Sequence, residues 1–183
     1  MSGIFWGFFF VFLNFNLNLN GHTINLLPTF VGYWMLARSM DALSGESGLF
    51  GALRPFAIGM AVYSAILWVG DALAITSSGP VSMLLGLLST LVSLYIAWGV
   101  SRAVEDMERT HGADLGAAGV RGAWIALAVG EALALLANAV AMLGLGAAVL
   151  GILGLVVALV GIVWFLVALW GTKKRFEALS LEK

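Results

Sequence analysis

Two acidic residues lie inside long apolar stretches of the sequence, where an ionised carboxylate is costly. Glu131 follows Arg121 by ten residues, and Asp71 follows Arg54 by 17 residues. A carboxylate surrounded by hydrocarbon costs about 2.5–3.5 kcal/mol on insertion scales, so such a group indicates a functional site. A lone carboxyl group in that setting can bind and release a proton or a cation. The other interpretation is a protonated carboxyl group that is hydrogen-bonded to a neighbouring helix.

Asparagines alternate with large apolar residues in the N-terminal stretch LNFNLNLNGHTINLLP, residues 13–28. Asn20 and Gly21 form the strongest short signal for a β-hairpin, because both turn positions favour positive φ. Pairing outward from this turn places the polar residues on one face, namely Asn14, Asn16, Asn18, Thr23 and Asn25. Two interpretations stay open for this face: a cap where membrane meets water, and the lining of a cavity or ligand site.

The composition of the chain excludes several classes of protein. Of its 183 residues 61% are hydrophobic and only 10% are charged, whereas a soluble domain carries about 25% charged residues. Lipid must therefore be the main solvent, and the lipid bilayer is the first expected partner. The formal net charge of -1 argues against a nucleic-acid partner. With no cysteine and two distant histidines we expect no disulfide, no metal site and no cofactor.

Apolar runs place the membrane segments. Four are long: Pro55 to Ile75, Pro80 to Val100, about 118–142 and about 147–170, each close to the roughly 20 residues that cross a bilayer. Two shorter runs, 3–13 and 28–40, flank the predicted β-hairpin. We predict an all-α integral membrane protein of six membrane segments in three helical hairpins, the first short and topped by the small β-hairpin. The single domain 1–183 then divides into 1–43, 48–110 and 115–178.

The basic residues test this topology. With six crossings, all nine Lys and Arg fall on one side: Arg38, Arg54, Arg102, Arg109, Arg121, Lys173, Lys174, Arg175 and Lys183. The positive-inside rule then predicts two cytoplasmic termini and an extracytoplasmic segment 14–27.

Three helix ends share a tryptophan, a cation four residues later and an acid three residues beyond. They are Trp34–Arg38–Asp41, Trp98–Arg102–Glu105 and Trp170–Lys174–Glu177. We expect the tryptophan at headgroup depth and an ion pair between the cation and the acid that follows it.

Two helical faces are distinctive in the second half of the chain. Trp124, Glu131 and Asn138 are spaced by seven and share one face. Small residues recur in the last segment at Gly151, Gly154, Ala158 and Gly161. Such a stripe is typical of close helix packing in lipid, either within the chain or against a partner membrane protein.

No catalytic motif is present: the sequence has no P-loop, nucleophile elbow or HExxH. We therefore assign no catalytic residue. An intramembrane enzyme would need Asp71 close to Glu131 or His22.

The stretch NGHTINLLPTFVGY, residues 20–33, resembles a group of small uncharacterised bacterial membrane proteins. The resemblance rests on Asn20, Gly21, Leu27, Pro28, Phe30, Gly32 and Tyr33. It implies a polytopic bacterial membrane protein, and no activity.

These patterns together predict a multi-pass bacterial inner-membrane protein that acts as a non-enzymatic transport or accessory subunit. Its ion or small-solute pathway would be lined by Asn14, Asn16, Asn18, Thr23, Asn25, Asp71, Glu131 and Asn138. The alternative is a structural or assembly module that binds a second copy or a partner membrane protein through the small-residue faces.

Overall fold

The computed structural model of the chain describes residues 1–13, 16–19, 22–25, 28–72, 80–142 and 146–181. Its elements are α1 Ser2–Phe12, β1 Asn16–Leu19, β2 His22–Asn25, α2 Thr29–Ala42, α3 Gly48–Ala72, α4 Pro80–His111, α5 Ala117–Met142 and α6 Ala148–Leu181. The chain divides into two compact units, Met1–Met107 and Glu108–Lys183. Each unit is described by itself.

Four helices, α3 to α6, are long and apolar enough to cross a membrane, which indicates an integral membrane protein. The prediction of six membrane segments is wrong. Helix α1 has 11 residues and α2 has 14, and a rise of about 1.5 Å per residue makes both much shorter than the roughly 30 Å of hydrocarbon. Four candidate spans replace the six.

The N-terminal strands are a local feature of the first unit. β1 and β2 pair antiparallel, with Asn16 opposite Asn25 and Asn18 opposite Thr23. The predicted turn at Asn20–Gly21 lies outside the described residues. Because each strand has four residues, the pair does not form a layer of its own. The fold class is corrected to a helical protein with four candidate spans, in place of three hairpins topped by a β-hairpin.

In the first unit, α1 lies against α2 at a glycine contact. A methyl group on Gly32 would lie 2.7 Å from the carbonyl oxygen of Gly7 and 2.9 Å from the backbone nitrogen of Val11. Only glycine permits this approach of two helix backbones. The contact buries Ile4 and Phe8 of α1 almost completely.

Helix α3 begins seven residues before its predicted start at Pro55. Ser47 is buried, and its hydroxyl accepts a hydrogen bond from the backbone N–H of Leu49 at 3.3 Å. The same hydroxyl donates to Asp106 of α4 at 2.6 Å. This cap satisfies an end of α3 that the apolar pattern does not mark. Pro55 consequently lies inside the helix.

In the second unit, α5 and α6 pack antiparallel through small residues. A methyl group on Gly161 would lie 2.6 Å from the backbone nitrogen of Leu127, and one on Gly154 would lie 2.8 Å from that of Ala134. A methyl group on Gly130 would overlap the backbone of Ala158. The two helix backbones therefore approach so closely that only glycine fits at these three positions.

The link that precedes α5 is tied to the end of α6 by Asp114. Its carboxylate accepts the backbone N–H of Gly116 at 2.9 Å and pairs with Arg175 at 2.8 Å. The Gly116 hydrogen bond is the larger cause, and with Arg175 it lowers the pKa of Asp114 below its usual range. The interaction is therefore present above the ordinary pKa of an aspartate and is lost only as pH falls through the lowered value.

Candidate functional site

Glu131 lies near the centre of a candidate span. It is the fifteenth of the 26 residues of α5, about 21 Å along the helix by its rise. Its neighbour Gly130 is buried against Ala158, whereas Glu131 is half-buried at the flank of this contact. No hydrogen bond or ion pair joins Glu131 to a residue that the structure describes. An ionisable group is thus present at membrane depth without a partner in the described part of its own chain.

Asn138 extends the polar face of α5. It lies two helical turns beyond Glu131 and is exposed, and Trp124 is half-buried two turns before Glu131. Polar side chains in membrane spans ordinarily face a bundle interior or a water-filled cavity. We call Trp124, Glu131 and Asn138 the polar face of α5.

The other predicted pathway residues belong to the first unit. Asn16 and Asn18 lie on β1, Thr23 and Asn25 lie on β2, and Asp71 lies in the last turn of α3. Asn14 lies outside the described residues. The predicted set is therefore divided between the two units, and only Glu131 and Asn138 occur in the same helix.

One buried polar contact of the first unit was not predicted. The hydroxyls of Tyr33 in α2 and Ser93 in α4 are hydrogen-bonded at 2.5 Å, and Tyr33 is 3% exposed. Because Ser93 donates its own proton to the carbonyl oxygen of Ser89 at 2.7 Å, Tyr33 is the donor. Sequence reasoning had no signal for this contact, because Tyr33 and Ser93 are 60 residues apart.

An apolar cavity of about 380 Å³ lies between α3 and α4. It is lined by Pro55, Phe56, Gly59, Met60 and Tyr63 of α3 and by Leu85, Leu88, Ser89 and Val92 of α4. Among the described lining residues the polar side chains are the hydroxyls of Tyr63 and Ser89, so this lining suits an apolar body and presents no charged side chain to an ion.

The predicted small-residue stripe of α6 lies against α5. Gly154, Ala158 and Gly161 contact Ala134, Gly130 and Leu127 respectively. A methyl group on Gly151 would make an ordinary contact with Ala137 at 3.9 Å. While this hairpin is closed, its small residues are occupied by the same chain.

The described residues contain no group of three or more His, Asp or Glu that could hold a metal ion. Comparisons of the chain with protein-family models, with curated proteins and with solved structures find no match.

Proposed function

We propose that the chain is a non-enzymatic transport or accessory subunit in which Glu131 takes part in a proton or cation pathway. The observation that supports this is a half-buried carboxyl group, near the centre of a membrane span, with no partner among the described residues. Keeping such a group in hydrocarbon is costly unless water, an ion or another polar group reaches it.

The polar face of α5 supports an accessory role in the same proposal. Asn138 is exposed on the helix that carries Glu131, so two polar side chains lie on one flank of a membrane span. A second copy or a partner membrane protein on this flank would supply polar groups that hydrogen-bond to Glu131 and Asn138. The ion pathway would then form where the partner meets α5.

The alternative, an assembly module that binds through its small-residue faces, has less support. Gly154, Ala158 and Gly161 contact α5 within the chain. A partner would have to use the large aliphatic side chains on the remaining surface of α6, such as Val149 and Val167. We therefore place the partner at α5.

The proposed location is the bacterial inner membrane, with both termini cytoplasmic. Bacterial origin is supported by the resemblance of residues 20–33, and orientation by the basic residues of the links and tail. With four crossings these residues still share one side, because two crossings separate Arg38 and Arg54 from the basic residues around the α4–α5 link, and two more separate those from the end of α6. The N-terminus joins the same side, because α1 and α2 form an antiparallel pair in which Gly3 lies next to Ser39. The extracytoplasmic placement of residues 14–27 required six crossings and is not retained.

Replacing Glu131 with glutamine tests the pathway. The amide keeps the shape of the side chain but cannot bind and release a proton as the carboxyl group does. The flux of protons into liposomes that contain the full chain should therefore fall at least about tenfold. Glu131→Asp, which restores a carboxyl group, should recover part of the flux. Glu177→Gln, the same change at an exposed acid near the end of α6, is the matched control and should leave flux unchanged. Wild-type flux in Glu131→Gln would remove Glu131 from the function.

A further inference from the structure

A groove runs between α2 and α3 on the surface of the first unit, and it changes character along its length. Its apolar half has a volume of about 410 Å³ and is lined by Phe30, Val31, Trp34, Ala61, Val62 and Ala65. Its charged half has a volume of about 240 Å³ and is lined by Trp34, Ala37, Arg38, Asp41, Arg54 and Ile58. Trp34 lines both halves, so the two halves meet at its side chain.

The charged half carries an excess positive charge. Arg54 pairs with Asp41 at 2.7 Å, in place of the pairing between Asp41 and Arg38 that the sequence predicts. Arg38 is exposed, and no hydrogen bond or ion pair joins it to a residue that the structure describes. Two guanidinium groups therefore face one carboxylate. The remaining charge suits an anion, and the planar guanidinium matches the oxygens of a phosphate.

The apolar half continues from this charge into the depth of a membrane span. Ala65 follows Arg54 by 11 residues of α3, or about 16 Å, close to the half-thickness of the hydrocarbon. The side chains of Ala61 and Ala65 are small, and the space above them forms this part of the groove. Trp34 and Val62 line its edges and are 61% and 56% exposed. Phe30 also packs edge-to-face on Trp68, with ring centroids 5.9 Å apart. This half has the length and chemistry of a site for one acyl chain.

We propose that the groove between α2 and α3 binds one anionic glycerophospholipid. Arg38 and Arg54 hold its phosphate, Trp34 lies at the boundary between headgroup and hydrocarbon, and one acyl chain follows the groove towards Ala65. An anionic headgroup is preferred to a zwitterionic one, because Asp41, the one carboxylate among the described residues that line the groove, already pairs with Arg54 and does not need an ammonium group. All the residues belong to the first unit, so the proposal does not depend on the role of Glu131.

Removing the charge of Arg38 tests the headgroup half. In native mass spectrometry of the full chain with phosphatidylglycerol or phosphatidylcholine, the wild type should retain one phosphatidylglycerol in preference to phosphatidylcholine. Arg38→Gln should weaken phosphatidylglycerol binding about tenfold or more, since a hydrogen bond to a charged group is lost. Arg121→Gln, the same change at an exposed arginine in the second turn of α5, should leave binding unchanged.

Filling the groove tests the acyl half without changing the charge. Val62→Trp should weaken phosphatidylglycerol binding as strongly as Arg38→Gln. Ile66→Trp, one turn further at a residue that is 66% exposed and does not line the groove, should have no effect. Both positions are exposed, so either variant should fold.

Three results would overturn the proposal. Equal retention of the two lipids would contradict selectivity for an anionic headgroup. Normal binding by Val62→Trp would show attraction to a headgroup alone. Displacement of phosphatidylglycerol by excess inorganic phosphate would identify a site for a free anion instead of a lipid.

Discussion

Replacing Gly161 with alanine should weaken the packing of α5 against α6 and lower the stability of the chain. The new methyl group would lie 2.6 Å from the backbone nitrogen and 2.8 Å from the α-carbon of Leu127. These atoms cannot rotate away as a side-chain end can, so the helices must separate. Overpacking of this kind costs about 1–3 kcal/mol. The midpoint of unfolding in a detergent-denaturation series, followed by tryptophan fluorescence, should fall accordingly.

Gly151 provides a matched control on the same helix. Alanine there would make only an ordinary contact with Ala137 at 3.9 Å, and alanine forms helices better than glycine by about 1 kcal/mol. Gly151→Ala should therefore leave stability unchanged or raise it slightly. Two identical substitutions ten residues apart should thus differ, with a loss of stability at Gly161 and none at Gly151. Equal effects would show that α5 and α6 do not approach as closely as the structure has them.

Replacing Gly32 with alanine should detach α1 from α2. The added methyl group would lie 2.7 Å from the carbonyl oxygen of Gly7 and 2.9 Å from the backbone nitrogen of Val11. If the overpacking costs about 1.4 kcal/mol, the detached population rises about tenfold. Because the chain has no native cysteine, an Ile4→Cys reporter gives a clean readout. Ile4 is 0% exposed, so its maleimide labelling should rise about tenfold in the Gly32 variant.

Gly59→Ala, in α3, is the control for Gly32→Ala, because nothing lies within 4 Å of a methyl group at Gly59. Ile4→Cys labelling in this variant should equal that in the reporter chain alone. If Gly32→Ala also left the reporter protected, the glycine contact would not be what holds α1 on α2.

Long apolar runs predicted α3 to α6, because each exceeds the length that spans hydrocarbon. Their ends were less predictable. Helix α3 begins at Gly48 since Ser47 caps it and binds Asp106, and this partner is known only from the fold. Helix α4 continues past Val100 to His111, where apolar character no longer marks the helix.

The prediction of six crossings counts α1 and α2 as two membrane segments, and it rests on all basic residues falling on one side of the membrane. This distribution of charge does not separate two crossings from none, because either number leaves Arg38 and Arg54 on the same side as the N-terminus. Helix length does separate them, with 11 residues in α1 and 14 in α2.

The candidate sites differ in how far sequence could identify them. Glu131 stands out because an acid within 26 mostly apolar residues is chemically unusual. The lipid groove has no such signature, since it forms from two helices and depends on Asp41 pairing with Arg54. Spacing along α2 favoured Arg38 as the partner of Asp41, and only tertiary contact decides between the two arginines.

The central claim is that α3, α4, α5 and α6 each cross the membrane once, and single cysteines in the cysteine-free chain test it most directly. The positions are Gly45 before α3, Ser82 in the first turn of α4, Gly146 between α5 and α6, and Ala178 near the end of α6. With a membrane-impermeant maleimide, Gly45→Cys and Ala178→Cys should react only from one side of the membrane, and Ser82→Cys and Gly146→Cys only from the opposite side. Reaction of Gly45→Cys from the same compartment as either Ser82→Cys or Gly146→Cys would contradict the four crossings.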